Sequence, residues 1–217
     1  MYLPDHFKEL DRNKAFELVR NNPLATLLLS STHELNANHI PFYLDPASGA
    51  HGMLLGHIPR ANPLSKTTGT CETLAVFHGP NSYITPNWYP TKRETGKVVP
   101  TWNYQVVHIH GTLRIVDDSN WVMDQLEALT NHNESKFPEP WRVTDAPQEF
   151  TTKMIKMLVG IEILITKVIA KSKISQNQPE DNRIGVAEGL STSSSTADKE
   201  MAKAVRATTP NTPIDKV

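Results

Sequence analysis

The chain has 217 residues, with 22 Lys and Arg against 23 Asp and Glu, a net charge of −1 and 38% hydrophobic residues, the balance of an ordinary globular protein. Near-neutral charge gives no polyelectrolyte character to suggest strong non-specific binding of nucleic acid, so any DNA contact would need a local basic patch, and the single cysteine, Cys71, excludes a disulfide framework or thiolate metal cluster within one chain. No stretch reaches roughly 18 uninterrupted apolar residues, and "MYLPDHFKEL" lacks a basic-then-apolar leader, so the expectation is a cytoplasmic protein with no membrane partner and no signal peptide.

In chain order, Asp11 is placed to cap a helix over "RNKAFELVRNN", where Ala15, Leu18 and Val19 share a face and Pro23 ends it. "ATLLLSS" reads as a buried strand. In "NHIPFYLD", Ile40, Phe42 and Leu44 alternate with polar or half-polar residues, the period of a strand with one face in the core. "PASGAHG" is turn chemistry and closes a hairpin with "GMLLGHI". "ETLAVFHGP" and "SYITPNWY" are expected to pair across a turn at Gly79, Pro80 and Asn81, and "TWNYQVVHIHGTLRIVD" is a long strand-forming run. A helix follows over "SNWVMDQLEALTNHNE" with Ser119 as cap, another over "QEFTTKMIKML", and then a last long strand in "GIEILITKVIAKSKI", rich in β-branched residues. Strands in hairpins, with short helices and no strand-helix-strand rhythm, give a mainly β fold with peripheral helices, an antiparallel barrel.

Two segments are expected: a barrel domain over residues 1–190 and a Ser/Thr-rich tail over 191–217, partly helical, with Met201, Val205, Ile214 and Val217 as its only sizeable apolar residues and prolines at Pro210 and Pro213. That content is too sparse for a core-facing stripe, so the tail is expected to be dispensable. "PEDNRIGVAEGL" before it suits a short helix.

Four polar clusters carry chemistry. In "GHIPRANP", His57, Arg60 and Asn62 stand at a strand end between prolines; a guanidinium fork and an amide suit a phosphate, although a solvated loop accounts for the same composition. Residues 82–104 concentrate Tyr83, Trp88, Tyr89, Trp102 and Tyr104, which suits a core, an interface or a stacking surface for a flat ligand. "KSKISQN", with Lys171, Lys173, Ser175, Gln176 and Asn177, could clamp a phosphate or the edge of a heterocycle. His108 and His110 share a strand face but have no third ligand nearby in sequence, so no metal is assigned. No nucleophile triad or carboxylate pair stands out, and the catalytic residues stay unassigned.

Together, "MYLPDHF", "NHIPFYLD", "GMLLGHIPRANP", "FHGPNSYITPNWYPTK", "GKVVPTWNYQVVHIHGTLRI" and "KISQNQPEDNRIGV" resemble the PaiB-type FMN-binding negative transcriptional regulators, over roughly residues 1–190. The resemblance implies a flavin-binding split β-barrel, FMN as cofactor and a homodimer with the flavin at its interface. It makes Arg60 and Asn62 phosphate and ribityl candidates, with His57 a cofactor-binding candidate on the same strand end. It puts Thr101, Trp102 and Asn103 near the flavin or the interface, and Lys173, Ser175, Gln176 and Asn177 at a cofactor-holding strand end. A regulatory role, with DNA as a partner, is implied by the family label alone; the alternative is a flavin-dependent oxidoreductase acting on a small molecule.

Overall fold

The computed structural model describes residues 1–30 and 35–208; Ser31 of the expected first strand and Pro210, Pro213, Ile214 and Val217 of the tail lie outside them. The elements in order are β1 (Lys8–Glu9), α1 (Arg12–Asn21), β2 (Leu24–Ser30), β3 (Leu35–Pro41), β4 (Tyr43–Asp45), β5 (Met53–Pro59), β6 (Thr70–Ile84), α2 (Thr91–Thr95), β7 (Thr101–Val116), α3 (Ser119–Glu134), α4 (Gln148–Ile155), β8 (Leu158–Lys173), α5 (Glu180–Ser191) and α6 (Thr196–Arg206). The strands hydrogen-bond in the order β3-β2-β6-β7-β8-β5-β4, with β1 on β8. The fold is mainly antiparallel β with helices around it, the class that the hairpin rhythm predicts.

The chain divides into two compact units: residues 1–11, 78–106 and 170–217 form the first, and residues 12–77 and 107–169 the second. In the second unit, β2 pairs antiparallel with β3 and with the first part of β6, while β5 pairs with β4 on one side and with β8 on the other. Ile40, Phe42 and Leu44 are all buried, as the alternation requires, although the chain breaks the ladder at Phe42 and so makes two strands of the expected one. Helix α3 starts one residue earlier than the sequence suggests: Asp118, not Ser119, is the cap, and its carboxylate accepts from the Asn120 and Trp121 backbone N–H groups. In β8, Ile161, Ile163 and Ile165 face the core, and Glu162 on the opposite side is also buried. Its carboxylate receives the Arg114 guanidinium at 2.5 Å and the Trp121 indole N–H at 2.9 Å, and a buried carboxylate needs such partners.

The turn expected at Gly79, Pro80 and Asn81 does not form. One 15-residue strand, β6, runs through it. Gly79 is absent from the residues with positive φ, so the glycine is used in extended backbone and no reversal is made there.

The first unit is organised around Trp88 and Tyr89. Ile84, Tyr89, Ile174, Val186, Leu190, Met201 and Val205 form a buried cluster with Trp88 packed on it. Helix α5 approaches Trp88 through two glycines one turn apart: a Cβ on Gly185 would stand 2.1 Å from the Trp88 carbonyl oxygen, and one on Gly189 2.3 Å from its indole ring. Helix α6, within the segment whose composition suggests a tail, is capped by Ser195 and buries Met201, Ala202 and Val205 completely. The expectation that this segment lacks a core-facing stripe is therefore corrected. Two large residues one turn apart suffice because the small Ala202 between them lets α6 lie close to α5.

Gly189→Ala, a change that favours an open helix by about 1 kcal/mol, is expected to lower the melting temperature here by several degrees, because overpacking costs about 1–3 kcal/mol. Met201→Ala should cost about 2–5 kcal/mol. Thermal unfolding followed by circular dichroism reads both, and an unchanged transition in either variant would show that α5 and α6 do not pack as described.

Candidate functional site

The residues singled out in the sequence fall into two groups, one in each unit. His57, Arg60 and Asn62 belong to the second unit, at the end of β5. Antiparallel pairing with β8 carries this strand as far as Pro59, which lies opposite Leu158. Proline then removes a ladder donor and the chain leaves the sheet. His57 Nδ1–H donates to Gln125 Oε1 at 2.8 Å, and Gln125, almost fully buried, donates its amide to the Leu55 carbonyl. The amide oxygen can only accept, which fixes the proton on Nδ1.

Arg60 uses four of its five guanidinium N–H donors within the chain. Its two terminal nitrogens donate to both Asp117 oxygens at 2.8 and 2.6 Å, a bidentate pair. Nε donates to the Lys156 carbonyl and Nη2 also to that of Leu158. The Asp117 hydrogen bond raises the Arg60 pKa above its ordinary value and lowers that of Asp117 below the usual carboxylate range. Asn62 caps the 3-10 turn Pro63–Lys66 by accepting from the Leu64 N–H at 2.9 Å, and donates to Asn38 Oδ1 at 3.0 Å. The polar groups of "GHIPRANP" thus anchor the loop that follows β5.

The second group lies in the first unit, where the start of β7 and the end of β8 bring together six of the seven remaining residues. The Lys173 ammonium donates to the Thr101 hydroxyl and, at 2.8 Å, to the Trp102 carbonyl. Asn103 and Ser175 are buried, and the Asn103 amide donates to Ser175 Oγ at 2.8 Å. Ser175 has φ 67°, the only non-glycine residue with positive φ among those described. This left-handed conformation is costly for a side chain other than Asn or Asp and recurs at functional turns. Gln176 bridges the same turn, accepting from the Ile174 N–H at 2.8 Å and donating to the Ser172 carbonyl. Asn177 is exposed beyond it.

Lys171 and the rings of Tyr104, Tyr2 and Phe7 complete this cluster. Lys171, two positions before Lys173 and on the same strand face, is only 7% exposed. Its ammonium stands 5.2 Å from the Tyr104 ring centre and 5.9 Å from those of Tyr2 and Phe7, and donates to the Tyr2 carbonyl at 3.2 Å. Neither lysine has a carboxylate partner among the described residues. Burial, and secondarily the neighbouring Lys171, hold the Lys173 pKa below its ordinary value, with Tyr104 opposing. Trp102 and Tyr104 also wall a cavity of about 340 Å³ with His78, Asn81 and Gln105, and Trp102, half exposed, meets Tyr83 edge to face with ring centres 6.2 Å apart. Lys171 and Tyr104 belong to clusters the sequence already marks, "KSKISQN" and the aromatic stretch 82–104. Tyr2 and Phe7 reach the site over more than 160 positions of chain, which no local pattern reports.

Two uncompensated cations beside aromatic walls fit a ligand that joins a phosphate to a flat ring, and strands so arranged define a flavin-binding split-barrel protein. The family model described as "Putative FMN-binding domain" matches residues 1–167, and the chain belongs to that family. It is 34% identical to an uncharacterized protein of Emericella nidulans, over 95% of this chain and 96% of the relative. It is 28% identical to the Bacillus subtilis protease synthase and sporulation protein PAI 2, over 94% of this chain and 95% of that protein. The FAD and heme binding protein of Mycobacterium smegmatis superposes with a TM-score of 0.56, covering 76% of this chain and 73% of that one at 14% identity, a likeness of fold. The cofactor of the family is a flavin, which the donor set at the ends of β7 and β8 suits. No helix among the described residues is long and apolar enough to cross a membrane.

Replacing Asp117 by Asn tests the Arg60 clamp. Because the Asp117 pKa is lowered in the folded state, its contribution is present above the unfolded carboxylate pKa of about 3.9 and is lost as pH falls through the lowered folded value. Wild type should therefore melt above Asp117→Asn near neutral pH and converge with it in strong acid. The gap should shrink with added salt, since the pair is exposed. A gap that is the same at all pH values would dissociate the clamp from stability.

Proposed function

We propose that this protein holds FMN with its phosphate against Lys173 and Lys171 and its ring system against Trp102 and Tyr104, and that a second copy of the chain completes the site. The observation that carries this reading is the pair of lysine side chains without a counter-ion. Partly or wholly buried ammonium groups are costly unless an anion meets them, and Thr101, Asn103 and Ser175 add short neutral donors around the same strand ends. Arg60, by contrast, already has its anion in Asp117. A bound flavin supplies the redox chemistry; the chain's own residues bind it, orient it and set its electrostatic surroundings.

The need for a second copy follows from size and exposure. A cavity of about 340 Å³ is at the low end of the roughly 300–1,000 Å³ of ligand pockets, and the aromatic segment that supplies its wall leaves apolar surface uncovered: Tyr83 and Trp102 are about half exposed and Val99 is three-quarters exposed. This supports a homodimer whose interface includes the segment "NWYPTKRETGKVVPTWNY". A cytoplasmic flavoprotein whose cofactor governs a regulatory association, the role of the family that the sequence resembles, is the function we favour.

Titrating FMN by its fluorescence tests the site. Lys173→Ala should weaken binding about ten- to a hundredfold, the equivalent of one charge-assisted hydrogen bond of about 1.5–3 kcal/mol, whereas Arg60→Ala should change it by less than about twofold. The opposite result would put the phosphate at Arg60 and Asn62, at the end of β5. The pH dependence has a definite sign: binding needs the ammonium form, so affinity falls as pH rises through the lowered Lys173 pKa, earlier than for an ordinary lysine near about 10.4. Lys173→Arg, whose guanidinium stays charged, should remove that fall.

Sedimentation of the FMN-loaded protein reads the assembly. A dimer is expected, and Trp102→Glu should shift it toward monomer; a wild-type monomer at micromolar concentration would refute the interface.

A further inference from the structure

The second unit has a cavity that the flavin reading does not use. It lies between α3, the 3-10 turn Val143–Asp145 and α4, has a volume of about 330 Å³, and is walled by Met123, Val143, Ala146, Thr151 and Thr152. Both threonine hydroxyls are turned back onto their own helix, Thr151 donating to the Pro147 carbonyl at 3.3 Å and Thr152 to that of Gln148 at 2.8 Å. Each hydroxyl is thereby occupied, and what the threonines offer the cavity is chiefly methyl surface. One charged group lines this largely apolar wall: Glu127, one turn after Met123 on α3. Its carboxylate is half-buried and has no hydrogen-bond or ionic partner among the described residues. Neither Lys153 on α4 nor Arg142 ahead of the 3-10 turn pairs with it.

An apolar cavity with one unpaired carboxylate selects by charge as well as by shape. A neutral apolar molecule leaves the carboxylate desolvated without compensation, an anion is repelled, and a small cation carrying an apolar body satisfies both surfaces. We infer that this cavity binds a small primary amine with an aryl or alkyl body, the ammonium group on Glu127 and the body against Met123, Val143 and the threonine methyls. The Gln148 amide, also lining the cavity, provides a second acceptor for the ammonium.

The pair phenethylamine and 2-phenylethanol isolates the charge, since the two differ only in ammonium against hydroxyl. With the full chain as purified, titration calorimetry together with the methyl NMR signal of Met123 should show the amine binding at least about tenfold more tightly than the alcohol. Glu127→Gln, at a half-exposed position that should not disturb folding, should bring the two within about twofold of each other. Ala146→Leu, which fills the cavity, should abolish binding of both while leaving FMN affinity unchanged. Equal affinity of amine and alcohol, persistence of the preference in Glu127→Gln, or absence of any Met123 shift at millimolar ligand would each overturn the inference. FMN titration of the same samples is read separately, so a failed flavin site and a failed amine site give different results.

Discussion

Strand β8 has to satisfy hydrogen-bonding partners along sixteen residues, and most of what is specific in the molecule follows from how its side chains meet that demand. It lies between β7 and β5 in the sheet, and its far end also takes β1, with Lys171 opposite Lys8. Consecutive residues 159–163 and 170–172 of β8 are buried, a setting in which charge is costly, yet β8 carries Glu162, Lys171 and Lys173. The structure resolves the conflict differently at its two ends. Glu162 is neutralised locally by Arg114 and by the indole of Trp121, whose ring lies so close to the strand that a Cβ on Gly160 would stand 2.2 Å from it. The lysines receive aromatic rings and carbonyl oxygens instead of carboxylates, so their charge is stabilised in place but not cancelled.

That contrast separates scaffold charge from site charge. Arg60 and Asp117 neutralise each other at the surface and tie the end of β5 to the carbonyls of Lys156 and Leu158. Such a pair is worth little in water, but its forked geometry fixes backbone direction. Lys171 and Lys173, two residues apart on one face, repel each other; folding tolerates this because Thr101, Trp102 and Tyr2 supply acceptors. The strained backbone at Ser175 belongs to the same strand end, and its hydroxyl is held by the buried amide of Asn103. Strain and uncompensated charge at one place in an otherwise relaxed sheet are features that packing alone does not explain.

The periodicities that made the elements legible in the sequence were those with one dominant partner surface. Ile40, Phe42 and Leu44 alternate because one face meets a core, and Ala15 and Val19 repeat because one helix face does. What failed to show was determined by distant residues. Gly79 and Pro80 are turn formers and poor strand residues, so the local signal points to a turn, and the strand that runs through them is imposed by pairing with distant chain. The Ser/Thr-rich composition after Leu190 hid α6 because its stripe is made by only Met201, Ala202 and Val205, and its partner surface, built by α5 and Trp88, is contributed from elsewhere in the chain. At the site, local sequence placed the strand ends correctly as polar clusters, but whether a given cation there has a counter-ion depends on Asp117 or on its absence near Lys173, and that is decided by folding.

The position of Trp102 carries an optical consequence. The four indoles of this chain occupy four distinct environments: Trp88 against the α5 glycines, Trp121 hydrogen-bonded to a buried carboxylate, Trp141 on the surface, and Trp102 half exposed on the wall of the cavity beside Lys173. Tryptophan emission overlaps flavin absorption, so a flavin seated there would quench the adjacent Trp102, and the fall in indole emission would report cofactor occupancy from within the protein itself.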